Sequence, residues 1–313
     1  MISGPPHVHG LRVPLPFKMD PLNAWLIETA EGCVLVDSGM QTQSSWKALE
    51  RGLLASGHAW GDVRWLVVTH MHPDHVGLAG RVREASGARI AMHVKDADLL
   101  DEFSRPGRPE HWNRVALELA GSPQEMLGPV NAAFGLLTVS FPRTAPDMLL
   151  TGGETIAGLE ILWTPGHSPG HICLYDREKR LLFGGDHLLE SVSPNISWLP
   201  DANPLSEYLD SLRELLKAEI ELVLPGHGEP FTEARACIEK TLAHHKQRCA
   251  QILEILRQEK NSAHKISQQL WKRELDPIEY RFAIFEVLAH LIYLESRGEL
   301  RREGTDWIRL DAG

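Results

Sequence analysis

Cysteine is scarce in this chain, and no two cysteines lie close together. Cys33, Cys173, Cys237 and Cys249 are the four, with no C-x-x-C pair among them. That spacing offers no disulfide frame. Long apolar runs are missing too: none reaches the roughly 20 residues that a membrane-spanning helix needs. Residues 1–17 have neither a basic start nor an apolar stretch, so no signal peptide is expected, and the cytoplasm is the expected compartment. Positive charge is in deficit. The 32 Lys and Arg against 42 Asp and Glu give a net charge of −10 at pH 7, which argues against a general nucleic-acid surface and leaves room only for a local basic patch. The remaining composition, 43% hydrophobic, is that of an ordinary soluble globular protein. At 313 residues the chain is too long for one core of usual size, so two domains are expected.

Histidine and aspartate, by contrast, are concentrated. Residues 69–75 read Thr-His-Met-His-Pro-Asp-His, placing His70, His72, Asp74 and His75 within six positions. The preceding run Trp65-Leu66-Val67-Val68 reads as a buried strand. If the strand continues, His70 and His72 share a face and reach one point together. Pro73 is expected to end the strand, so that Asp74 and His75 point at a second centre. Imidazole and carboxylate together suit zinc, with iron or manganese as alternatives. Three later segments repeat the logic of an apolar run delivering one polar residue: Ile161-Leu162-Trp163 before His167, Leu181-Leu182-Phe183 before Asp186, and Leu222-Val223-Leu224 before His227. Ligands carried on several strand ends of a rigid scaffold can be held accurately.

These segments resemble the metallo-β-lactamase superfamily, and they occur in the family's order. His70-x-His72-x-Asp74-His75 is similar to its central motif. Thr164-Pro165-Gly166-His167, Phe183-Gly184-Gly185-Asp186 and Leu224-Pro225-Gly226-His227 are similar to the three that follow, and Val34-Leu35-Val36-Asp37-Ser38-Gly39 to the one that precedes it. The resemblance spans about residues 20–230. It implies an α/β fold, the αββα metallo-β-lactamase sandwich, holding two divalent metal ions, with zinc expected. His70, His72 and His167 would hold one ion, Asp74, His75 and His227 the other, and Asp186 would bridge them. Asp37 and His171 would stand behind the ligands and orient their imidazoles. Ions about 3.5–4 Å apart can share a hydroxide nucleophile, which Asp74 would orient.

The carboxylate at Asp186 is typical of glyoxalase II-like hydrolases, lactonases and RNA-processing members. The expected function is therefore a dinuclear metal-dependent hydrolase of a small-molecule ester or thioester. A lactonase, and a phosphodiesterase or endoribonuclease, are the alternatives. Residues 188–200 contain no Lys or Arg, against a glutathione thioester. Leu189 stands where lactonases often carry Tyr, against a lactone. A nucleic-acid-binding regulator with a vestigial hydrolase domain is disfavoured because every ligand position is intact.

Two strands are expected at 23–28 and 33–37, then a helix over 41–56 with Trp46, Leu49, Leu53 and Leu54 on its apolar face. Residues 95–150, rich in Pro and aromatics including Phe141 and Pro142, are expected to form broken helices that either wall the substrate pocket or merely pack on the sheet. Residues 191–198 are a second candidate wall. The pattern changes near 232, so the expected domains are 1–231, catalytic, and 232–313, helical and winged-helix-like. The latter comprises helices from Thr232, from Ser262 to Trp271 and from Pro277 to Arg297, then a hairpin across Glu303-Gly304-Thr305-Asp306. The last helix is apolar on most faces and should be buried against the catalytic domain, its own neighbours or a second copy of the chain, which keeps a homodimer open. A small-molecule substrate is the expected partner, with neither nucleic acid nor membrane.

Overall fold

Near-continuous apolar runs, the signature of strands covered on both faces, build the centre of the fold. The computed structural model describes residues 2–3, 5–16, 21–138 and 144–310. Strands β1 (Ile2–Ser3), β2 (Val8–Val13), β3 (Leu22–Thr29) and β4 (Gly32–Val36) pair antiparallel in that order. Helix α1 (Gln43–Ala55) crosses to β5 (Val63–Val67), parallel to β4. Helices α2 (Pro73–Val76) and α3 (Ala79–Ser86) then lead to β6 (Arg89–His93), parallel again. After α4 (Val94–Phe103), α5 (Arg108–Leu119) and α6 (Leu127–Thr138), strand β7 (Met148–Leu150) completes a seven-stranded mixed sheet. The second sheet is five-stranded, in the order β12-β11-β10-β9-β8. It comprises β8 (Thr155–Ile156), β9 (Leu159–Trp163), β10 (Ile172–Asp176), β11 (Leu181–Gly185) and, after α7 (Pro204–Leu215), β12 (Leu222–Pro225).

The two sheets face each other across Trp25, Ile27, Val36 and Val67 from the first and Ile161, Ile172, Phe183 and Leu224 from the second. Helix α1 covers the outside of the first sheet with Trp46, Leu49 and Leu53. Leu54, expected on that face, is 77% exposed; it lies one helical step, about 100°, beyond Leu53 and so rotates off the stripe. Helix α7 covers the second sheet, Leu205 and Leu212 packing with Cys173 and Leu182. The result is the α/β four-layer arrangement αββα. Its sheets are knit at one end by backbone bonds, Ile172 N–H to Thr69 O at 2.9 Å and Asn23 N–H to Gly226 O at 2.7 Å. That end carries the carboxyl termini of β4, β5, β11 and β12.

Beyond residue 232 lie α8 (Ala234–Ile255), β13 (Asn261–Ser262), α9 (Ala263–Leu270), α10 (Pro277–Ser296) and the hairpin β14 (Leu300–Glu303) and β15 (Asp306–Arg309). The three short strands form a sheet in the order β13-β15-β14. Asp276 and Glu279 cap the start of α10 reciprocally, with Pro277 at its first position. Gly298, at φ +73°, follows its end. Helix α10 is buried on nearly all sides against α5, α6, α7, α8 and α9. Ile284, Phe285, Leu288 and Leu291 belong to the same apolar cluster as Cys173 and Leu182 of the second sheet, so the tail shares a core with the sandwich. The segment 95–150 supplies α4, α5 and α6, and Phe134 of α6 packs against Arg281 of α10. Phe141 and Pro142 lie outside the described residues.

Candidate metal centre

Strand β5 ends at Val67, so His70 and His72 do not ride on an extended strand as expected. They follow it in an irregular loop, and Pro73 begins helix α2 rather than ending β5. Side chains hold that loop where a ladder would otherwise do so. Asp37 accepts from Thr69 N–H (2.8 Å, Oδ1) and Thr69 Oγ1–H (2.8 Å, Oδ2). The fully buried Asp96, on the first turn of α4, accepts from Met71 N–H at 2.8 Å. Asp37 itself sits at φ +60°, a left-handed conformation uncommon for a side-chain-bearing residue and often found at functional sites.

The structure brings all seven expected ligand residues together. His70 Nε2 and His167 Nε2 lie 2.9 Å and 3.0 Å from His72 Nδ1, so three imidazoles face one point. Beside them, Asp74 Oδ2 is 3.2 Å from His227 Nε2 and 3.7 Å from His75 Nε2. Asp186 lies between the two groups, with Oδ1 3.4 Å from His75 Nε2 and Oδ2 3.8 Å and 3.7 Å from His167 and His227. Three sets are each compact enough to hold an ion, with donor atoms within 4.8 Å of one another: His70–His72–His167, Asp74–His75–His227 and His70–His75–Asp186. Gly226 makes room for this. A Cβ there would stand 2.5 Å from Asp186 Oδ1 and 2.9 Å from His75 Cε1.

Behind the donors, three rings are fixed by their rear nitrogens. His75 Nδ1 meets Asp37 Oδ2 at 2.7 Å, His70 Nδ1 meets Thr69 Oγ1 at 3.0 Å, and His167 Nδ1 meets the Asn195 carbonyl at 2.9 Å. Each contact leaves the forward nitrogen free to offer its lone pair. His171 differs from its expected role. Its Nε2 accepts from the backbone N–H of Asp186 at 3.2 Å and its Nδ1 meets Thr164 Oγ1 at 2.9 Å, so it positions a carboxylate's main chain instead of an imidazole.

The residues fit divalent cations. Burial pushes His70 well below the usual imidazole range and His72 down to about 3, the neutral form a metal requires. Burial alone would raise both aspartates. Yet neighbouring His75 and His227 hold Asp74 down to about 2, and His227, His75 and His167 hold Asp186 well below its ordinary value. Conversely, burial would lower His227, but Asp186 and Asp74 raise it to about 9. The carboxylates thus call for positive charge in a dry site. His75 Nε2 and Asp186 Oδ1 are also buried without hydrogen-bond partners, which a shared cation would satisfy.

Two contributors were not expected as site residues, although Asn195 falls in the candidate wall 191–198. Besides Met71, Asp96 accepts from Ser168 Oγ–H at 2.7 Å and Gly170 N–H at 2.5 Å, which ties the His70–His72 loop to the His167 loop. Burial raises its carboxyl to about 6. Asn195 links the site to the tail: its amide donates to Phe282 O at 3.4 Å and Glu286 Oε2 at 3.3 Å on α10, while its carbonyl holds His167.

The sequence matches the metallo-beta-lactamase superfamily over residues 19–227 and the metallo-beta-lactamase-like C-terminal domain over residues 249–309. It is 28% identical over 308 residues to the probable metallo-hydrolase YqjP of Bacillus subtilis (strain 168), covering 92% of each chain. It is 31% identical over 223 residues to the acyl-coenzyme A thioesterase MBLAC2 of Gallus gallus, covering 68% of this chain and 74% of the relative. Among solved structures, the metallo-beta-lactamase family protein TTHA1429 from Thermus thermophilus aligns with TM-score 0.85 and 32% identity, over 97% of this chain and 99% of that one. Fold, clustered histidines and aspartates, and these relatives agree: the chain belongs to the metallo-β-lactamase superfamily and is a metal-dependent hydrolase.

Proposed function

We propose that the chain hydrolyses an acyl thioester of a small molecule at a dinuclear centre. The supporting observation is the pair of adjacent three-donor groups with Asp186 lying between them. We assign His70, His72 and His167 to one ion, Asp74, His75 and His227 to the other, and Asp186 to both. The relationship to acyl-coenzyme A thioesterases favours the thioester over other small esters. Divalent ions held there would supply a Lewis acid for the acyl oxygen and ionise water near neutral pH. The chain's own residues do the rest. Asp74, an ionised carboxylate, accepts a hydrogen bond from water and orients it toward the acyl carbon, and the sulfur leaves with the water's proton as the C–S bond breaks. Asp37, Thr69 and Asn195 keep the ring orientations fixed, so no reorganisation is needed during the reaction.

We place the domain boundary at 231/232, between the two matched regions. The strand order β13-β15-β14 beneath α8, α9 and α10 supports a winged-helix-like reading of the tail. Its last helix is enclosed on almost every side, so the tail serves packing and not the reading of a nucleic-acid groove. Assaying metal-loaded protein against an acyl-coenzyme A, a lactone, a phosphodiester and a β-lactam tests the assignment. Preferred turnover of the thioester is expected, and a phosphodiester turned over faster would overturn it.

A further inference from the structure

A separate group of donors lies at the opposite end of the first sheet. His9 on β2, Glu28 on β3 and His58, in the connection from α1 to β5, bring three donor atoms within 4.8 Å of one another. His9 Nε2 is 2.7 Å and His58 Nε2 3.1 Å from the same atom, Glu28 Oε1. Glu28 pairs in register with Cys33 of β4. Asp37 of the hydrolytic centre follows the far end of that strand at Val36, and Cys33 to Val36 alone spans about 10 Å at roughly 3.3 Å per residue. The group is therefore separate from that centre.

We propose that His9, Glu28 and His58 form a second metal site, for a borderline divalent ion such as Zn²⁺, Ni²⁺ or Cu²⁺. Two imidazoles and one carboxylate make a donor set that suits these ions and leaves a fourth position for water. The rear nitrogen of His58 is already engaged: its Nδ1 lies 3.5 Å from Cys33 Sγ and 3.8 Å from Asp62 Oδ2. With its proton on Nδ1, toward Cys33 Sγ, His58 would offer the Nε2 lone pair to an ion beside Glu28. The side chains of His9 and His58 are about one-fifth exposed and that of Glu28 two-fifths, so an ion can enter from solvent. Because the donors come from three separate segments, a bound ion pins the α1–β5 connection to the edge of β2 and β3. The site is a fastening, with no part in hydrolysis.

The test is metal content after equilibrium dialysis of the full chain against Zn²⁺, together with calorimetric titration, for wild type, His58→Ala and Glu28→Gln. Glu28→Gln keeps a hydrogen-bonding side chain between the imidazoles but removes the carboxylate, so a group that is only a hydrogen-bonded cluster would not change its metal count. Wild type is expected to hold one equivalent more than either variant, and its melting temperature to rise further with added Zn²⁺. Thioester or other hydrolytic rates should be unchanged in both variants. Asp186→Ala should keep the extra equivalent while losing metal at the hydrolytic centre, which separates failure here from failure there. Equal metal counts in wild type, His58→Ala and Glu28→Gln would overturn the proposal.

Discussion

Replacing Asp96 with alanine should loosen both ligand loops at once. Its carboxylate accepts from Met71 N–H, Gly170 N–H and Ser168 Oγ–H, all in a buried setting. The serine hydroxyl can turn to another acceptor. The two amides cannot, and each buried donor left unsatisfied costs about 1–3 kcal/mol. The expected loss is therefore about 2–6 kcal/mol, a large part of the 5–15 kcal/mol typical of a folded domain. Asp96→Asn should be milder. Burial raises the native carboxyl from 3.8 to about 6, which means the fold disfavours its charge by about 3 kcal/mol at 1.36 kcal/mol per pK unit. Asparagine removes that penalty while giving up one acceptor. Metal affinity should fall by about 10–100-fold in Asp96→Ala, as for other groups that stand behind ligands. Urea unfolding of the metal-free protein and competition with a chelator measure the two effects. Stability within about 0.5 kcal/mol of wild type, the range of ordinary surface changes, together with unchanged chelator competition, would refute the clamp.

Asp186→Ala should abolish most hydrolysis and lower metal content at the centre, because the proposed pair of cations would lose the carboxylate between them. His244→Ala, half-buried on α8, should leave both unchanged, and equal metal loss in the two variants would show the site to be misplaced. Asn195→Ala removes the amide that anchors the His167-binding carbonyl to α10, so metal retention against a chelator should drop about tenfold with little change in secondary structure by circular dichroism. A chain cut after Phe231 exposes the apolar surface of α7 and the second sheet and should aggregate in light scattering. A soluble, fully active truncation would contradict the shared core.

The candidate metal ligands were legible in the sequence because each group of them follows an apolar run, with Pro or Gly beside the later ones, and because their order resembles a known family. The strands were legible for the same reason: burial on both faces leaves runs such as Cys33-Val34-Leu35-Val36 without polar interruption. What escaped was whatever depended on tertiary partners. The segment Val94-Lys95-Asp96-Ala97-Asp98 looks like the acidic start of a solvent-facing helix, and only packing reveals that Asp96 turns inward. Asn195 acts through a backbone carbonyl, which no side-chain pattern records. His70 and His72 were expected on a strand because alternation suggested it, whereas hydrogen bonds from Asp37 and Asp96 stabilise a loop. Leu54 fitted the helical spacing only approximately, and a step of about 100° was enough to expose it.

The seven candidate donors are divided between the two sheets: His70, His72, Asp74 and His75 follow β5, while His167, Asp186 and His227 follow β9, β11 and β12. On the proposed assignment, neither half of the sandwich carries the full donor set of both ions. During folding the centre cannot exist before the sheets dock, so metal arrives after the slow non-local step and does not nucleate it. Once bound, the proposed ions would join the halves at the end where Ile172 N–H to Thr69 O and Asn23 N–H to Gly226 O cross between them. Their contribution grows with RT ln(1 + [M]/Kd). A cell short of metal would thus hold a chain that is not merely inactive but whose two sheets part more readily, and proteases that attack transient openings would remove it first.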